Sequence, residues 1–399
     1  MERQDKCLLI ITLILTGFGA LMIYSTTSVL TPVLIKKGAT EFFFFKRHLF
    51  TIVVGFIIMA IAYRLKPSVI EKLAIPLLII SLILLLLVFV PGIGVSAGGA
   101  RRWIRLWPST FQPSELVKMA MVIFLAKYIS SPDYKTDSFI SFIKPIGVMF
   151  IFQLIIILQP DFGAVMSLTF LTIAMLFLSG TRIRYIGILV LAAIPVIIKL
   201  SLEPYRFRRI TSFINPWEDP QKTGFQLIQS FIALGNGGLT GVGLGSSKQK
   251  LSYLPESHTD FIFSIIGEEF GLIGAIFVII LFIILFYRGI KIAASKKYIF
   301  IGYLVTGLSL MIALQALINF AVVTGMVPTK GLPLPFISYG GSSLLVNMAA
   351  IGMLIRLSKK DENEETEDKN IIKKKIIKRK VESRNFKRNY KGNRIIFER

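Results

Sequence analysis

The chain has 399 residues, 54% of them hydrophobic, with a mean hydropathy of +0.68 and a formal net charge of +23. Only 17% of residues are charged, against about 25% in a soluble globular protein, and apolar runs of about 18 residues or more recur, each long enough to span a bilayer. A single cysteine, Cys7, excludes an internal disulfide and a Cys-based metal site; two histidines, His48 and His258, exclude a multi-His zinc site.

The first apolar run, Leu8 to Tyr24, follows a short charged start in the manner of a signal peptide. It lacks a small-residue cleavage site and further spans follow, so it reads as a retained first span. Apolar segments then recur at 48–64, 73–91, 115–130, 140–158, 162–179, 185–200, 261–287, 299–324 and 338–357. The expected fold is an all-α polytopic membrane domain over 1–357, of about ten transmembrane helices. Two large loops, 92–114 and 201–260, interrupt it, and a charged, disordered tail over 358–399 follows.

Ten spans put both termini on one side. Lys and Arg divide evenly between the two sets of loops, so the loops alone do not orient the chain. From Lys359 onward, 15 basic residues against 8 acidic ones place the tail, and so both termini, in the cytoplasm. The outer loops then hold more positive charge than the rule allows, which calls for an anionic ligand at that face.

Five stretches carry chemistry. In AGGARRWIRLWPSTFQPSELVK, Arg101, Arg102 and Arg105 stand among tryptophans, as interfacial anchors or as anion-binding groups. Ser114 is a plausible N-cap there. Glu115 and Lys118 share one helix face inside the membrane, where a charge is costly unless paired or used. In LQPDFG, Asp161 stands at a tight turn, as a cap to the helix that follows or as a functional carboxylate. The glycines of ALGNGGLTGVGLGSSKQK follow no strand and contain no nucleotide-binding pattern, so they read as a flexible or re-entrant loop.

In YLPESHTDFIFSIIGEE, Asp260 stands where the long loop meets a span, beside His258 and Thr259. It is a helix N-cap or a partly desolvated proton acceptor. At least one of Glu268 and Glu269 must face the bundle interior. In GMVPTKGLPLPFISYGGSS, Lys330, Ser338, Tyr339 and Ser342 mark a broken, hydroxyl-rich start to the last span, suited to close packing or to a polar site.

GARRWI, QPSELVK, LQPDFG, LPESHTDFIFSIIGEE and PTKGLPLPFISYGGSS, in that order, resemble the SEDS family of bacterial cell-wall polymerases, whose members include FtsW, RodA and SpoVE. The likeness covers residues 8–357, and GVGLGSSKQKL is closer to the division member FtsW than to the elongation member RodA. The resemblance implies a peptidoglycan glycosyltransferase that polymerises lipid II into β-1,4 glycan strands at the outer face of the cytoplasmic membrane. It makes Asp260 the catalytic base for an inverting transfer. It also makes Arg101, Arg102, Glu115, Lys118 and Lys330 candidate substrate-binding residues, with His258, Thr259, Ser338, Tyr339 and Ser342 beside them. A divalent cation, Mg or Mn, could assist, although no dedicated cage is visible. The implied partners are lipid II, the nascent glycan, a class B penicillin-binding protein and other membrane proteins of the division or elongation machinery, with no nucleic acid. A lipid II flippase is the alternative activity.

Overall fold

The computed structural model describes residues 3–27, 43–97, 100–106, 109–201, 204–251, 254–329 and 331–359. Ten apolar helices stand where ten spans are expected: α1 (Arg3–Thr27), α2 (Phe43–Arg64), then, after the short α3 (Pro67–Lys72), α4 (Ala74–Leu87), α5 (Pro113–Ile129), α6 (Phe139–Leu158), α7 (Phe162–Leu178), α8 (Ile183–Ser201), and finally α11 (Ile262–Ala294), α12 (Ile299–Val323) and α13 (Gly341–Ser358). Six of them are long and apolar enough to cross a membrane, and α4, α7 and the first part of α8 are shorter apolar helices. Large side chains such as Ile57, Ile83, Leu154 and Ile283 remain exposed around the bundle, as lipid-facing residues do, because lipid gives no reason to hide them.

Small residues let the helices approach. α13 packs along α2, and a Cβ on Gly352 would stand 2.3 Å from the Met59 carbonyl oxygen. Only glycine permits that separation.

The two long loops are built rather than slack. Three strands, β1 (Gly94–Ala97), β2 (Ala100–Leu106) and β3 (Ser109–Phe111), form an antiparallel sheet where the sequence showed only a polar loop. The loop at 201–260 carries two helices, α9 (Pro204–Ile214) and α10 (Phe225–Gly237). Lys330 and the tail from residue 360 onward lie outside the described residues, so neither expectation about them is addressed by the structure.

The glycine-rich stretch has a specific task. Helix α11 breaks at Gly271, where φ is 63° and ψ is −162°. The break disrupts the helical ladder, and the loop repairs it: Val242 and Gly243 donate their N–H groups to the Glu268 and Glu269 carbonyls, while Leu272 and Ile273 donate to Gly238 and Leu239. Irregular backbone at membrane depth survives only when its polar groups are met in this way.

Candidate functional site

A single cleft of about 550 Å³ gathers most of the stretches singled out above. Arg102 and Trp103 of β2, Gln112 before α5, Glu256, Thr259, Asp260 and Phe261 before α11, and Gly331, Pro333 and Tyr339 to Ser343 at the head of α13 all line it. Helix α2 adds Arg47, His48 and Thr51, and α10 adds Gln226. Four of the five motifs that carry the resemblance, all but LQPDFG, thus supply its walls. The fifth supports one of them: the Arg102 guanidinium donates from Nε to the Gln159 carbonyl at 3.2 Å and from Nη2 to that of Pro160 at 2.6 Å.

The sheet register explains why Arg102, and not Arg101, reaches the cleft. Val95 pairs with Trp103 and Ser96 with Arg101, which leaves Arg102 as an extra residue in a β-bulge. A bulge breaks the alternation of faces and re-aims a side chain. Arg101 is exposed and does not line the cleft.

Asp260 forms part of the cleft wall. Helix α11 starts two residues later, with Phe261 at its N-cap. The carbonyls of His258, Thr259 and Asp260 are each held by a different donor. Tyr339 N–H bonds the first at 2.9 Å, Ser338 Oγ the second at 2.6 Å, and Asn319 Nδ2 the third at 2.8 Å. The Glu256 carbonyl closes the turn from below, accepting from the N–H groups of Thr259 and Phe261, and its φ of 56° is a left-handed value that costs a non-glycine residue of order 1–3 kcal/mol. The Glu256 carboxylate accepts from Thr259 Oγ1 at 2.7 Å. Backbone strain and dense bonding at one turn fit a segment whose geometry matters.

Of the other expected site residues, Thr259, Tyr339 and Ser342 line the cleft. Tyr339 sits between both histidines, with ring centroids 5.8 Å from His258 and 6.0 Å from His48. Burial lowers the pKa of His258 from 6.5, with Glu256 opposing the shift. Ser342 Oγ accepts from the Gln112 N–H at 2.8 Å, joining α13 to the start of α5.

Glu115, Lys118, His258 and Ser338 do not line the cleft. Glu115 and Lys118 are buried beneath it, paired at 2.9 Å. Lys118 also donates to Gln315 Oε1 at 3.0 Å, and Gln315 Nε2 donates to the Pro333 carbonyl and to Ser343 Oγ, both in the cleft wall. A charged pair deep in the bundle is therefore wired to the site through one amide.

Ser114 is not the N-cap of α5: Gln112 occupies that position, ahead of Pro113. The reason is the pull of Asp161, which takes bonds from Gln112 Nε2 at 2.8 Å and Ser114 Oγ at 3.4 Å while capping α7 through Ala164 N–H. Glu268 and Glu269 both face inward. Glu268 accepts from Ser247 and from the Lys248 and Gln249 N–H groups; Glu269 accepts from Ser25 Oγ and Lys250 Nζ. They anchor the glycine-rich loop rather than the cleft.

Arg47, His48, Gln226 and Asn319 were missed by sequence reasoning. Arg47 and His48 stand where a loop meets the apolar run 48–64 and belong to no motif, and Gln226 and Asn319 are single polar residues in helices with no local signal.

A family model described as "Cell cycle protein", for FtsW, RodA and SpoVE, matches residues 5–363. The chain is 45% identical over 360 residues to the probable peptidoglycan glycosyltransferase FtsW of Geobacter sulfurreducens, covering 90% of this chain and 96% of that one. It is 42% identical over 357 residues to stage V sporulation protein E of Bacillus subtilis, covering 89% and 97%. Among solved structures it is similar to a chain of a peptidoglycan synthase complex described as coordinating polymerization and crosslinking, with a TM-score of 0.72, 25% identity, and coverage of 88% and 96%. The fold is also that of Thermus thermophilus RodA, at a TM-score of 0.65 and 24% identity, covering 89% and 97%.

Proposed function

The chain belongs to the FtsW/RodA/SpoVE family, and from that membership and the cleft we propose that it is an FtsW-type peptidoglycan glycosyltransferase that polymerises lipid II with Asp260 as its base. The observation that carries this reading is the placement of Asp260 in a polar cleft together with Arg47 and Arg102.

The reaction asks for three things. A proton acceptor must take the hydrogen of the acceptor sugar's 4-hydroxyl as that oxygen attacks the donor's anomeric carbon. The C1–O bond to the diphosphate breaks as the new C1–O4 bond forms, which inverts an α-linked donor to a β-1,4 link. Negative charge then grows on the departing undecaprenyl diphosphate, and fixed cations in a poorly hydrated cleft can stabilise it. Asp260 fits the first task; Arg47 and Arg102 fit the last.

Among the described residues no group of three or more His, Cys, Asp or Glu could hold a metal ion. A divalent cation, where one takes part, would therefore arrive with the diphosphate, and no step is assigned to it.

The names of the relatives support a septal role, and the peptidoglycan synthase complex supports a class B penicillin-binding protein as the partner. The active face would be extracytoplasmic and both termini cytoplasmic, in a bacterial inner membrane.

The test is polymerisation of labelled lipid II by the purified protein, alone and with its cognate transpeptidase, with and without divalent cation. Wild type should make glycan and folded Asp260→Ala should make none. A variant that polymerises as well as wild type would remove Asp260 from the role of base. Translocation of lipid II in vesicles without polymer, even with the partner, would favour a flippase.

A further inference from the structure

Asn319 lies on α12 with 1% of its surface exposed, and it does not line the cleft. Its side-chain amide has two N–H donors, and both go to backbone carbonyls of the site: Asp260 at 2.8 Å and Leu332 at 2.8 Å. Those carbonyls belong to different loops, one carrying the base and the other following Gly331. Of the three donors that hold the carbonyls of residues 258–260, the other two come from the 331–340 loop itself. Asn319 ties both loops to the long helix α12, where Gln315 also holds the Pro333 carbonyl of the 331–340 loop.

A second measurement shows what the clasp holds together. Gly331 packs against the Asp260 carboxyl group so closely that a Cβ there would stand 2.7 Å from Oδ2 and 3.5 Å from Cγ. Fixing the Leu332 carbonyl therefore fixes a wall against which the carboxylate rests. The amide stays at a cost, because its Oδ1 is buried with no hydrogen-bond partner among the described residues. Buried polar atoms of this kind are rare and ask for an explanation.

We propose that Asn319 is a positioning residue for glycosyl transfer, setting where the Asp260 carboxylate stands by clasping the two site loops, with Gly331 as the side-chain-free wall that the carboxylate meets. The inference rests on Asp260 being the base. Proton transfer needs heavy atoms about 2.6–3.2 Å apart, and misplacement by about 1 Å costs on the order of 100-fold in rate. The clasp acts on that distance and touches no part of the substrate.

The experiment compares Asn319→Leu, Gly331→Ala and Asp260→Asn with wild type, as full-length protein with its transpeptidase partner, by lipid II polymerisation kinetics and thermal unfolding. Asn319→Leu and Gly331→Ala should each lower kcat about 10- to 100-fold while KM for lipid II stays within about twofold. Gly331→Ala leaves both Asn319 bonds in place and tests the wall alone, so Asn319→Ser, a smaller change that also removes the amide donors, decides the clasp if Asn319→Leu does not fold. Folded variants with kcat near wild type, or a loss carried by KM, overturn the clasp while an inactive Asp260→Asn leaves the base reading standing. An Asp260→Asn that polymerises normally overturns the base reading, and this inference with it.

Discussion

Lys118 Nζ lies 2.9 Å from Glu115 Oε1, and both side chains are buried on α5 beneath the cleft floor rather than in it. Removing one partner strands the other charge, which typically costs about 3–5 kcal/mol, whereas replacing both by apolar groups is often neutral. Lys118→Met should therefore unfold at a markedly lower temperature, and Glu115→Leu/Lys118→Met should recover most of the loss. Activity should not recover, because Gln315 loses the ammonium that orients it toward Pro333 and Ser343. A double variant restored in both melting temperature and polymerisation would reduce the pair to a structural element.

Two adjacent arginines should behave differently. Arg102 lines the cleft and holds the Gln159 and Pro160 carbonyls through its planar fork, a geometry that lysine cannot copy. Arg102→Lys should lower kcat/KM roughly tenfold or more, whereas Arg101→Ala should change it by less than about twofold. Equal losses at the two positions would mean that the bulge does not select between them.

The pH dependence of stability has a definite sign at His258. Burial lowers its pKa in the folded protein below 6.5, so the unfolded chain binds more protons between the two values and stability falls as pH drops below about 6.5. Melting temperature followed from pH 7.5 to 5.5 should decline, and His258→Gln should flatten the curve. An unchanged slope in the variant would assign the loss to other groups.

Gly271 resists replacement on two counts, conformation and space. A Cβ there would meet the Gly241 nitrogen at 2.4 Å and the Leu239 oxygen at 2.5 Å, at a φ of +63°. Gly271→Ala should cost at least about 1–3 kcal/mol from conformation alone, with the backbone clash adding to it. Reduced yield of folded protein and a lower melting temperature are the readout; a variant as stable as wild type would mean that the loop can detach from the break without loss.

The bundle was legible because hydrophobic run length reports bilayer thickness directly, and all ten segments have their helices. The three-stranded sheet was not, since its strands are short and β2 holds three arginines, with a bulge that breaks the two-residue period. A cap was one reading of Asp161 because capping is local, and it is one. Ser114 was misread because its neighbour Gln112 is drawn to a residue 49 positions away, which no local pattern reports.

The sequence by itself determined that this is a many-helix membrane protein, placed Asp260 at the head of a span, and carried the family in five ordered stretches. Those are properties of composition, of spacing and of short motifs, all of which survive without coordinates. Only the tertiary structure decided which charges serve the cleft. Arg102 reaches it while Arg101 does not, Glu115 and Lys118 lie behind it, and Asn319, without a motif of its own, grips the loop that carries Asp260. The physical reason is that charge in the membrane must be paired or buried, and the pairing partners come from helices far apart in the chain.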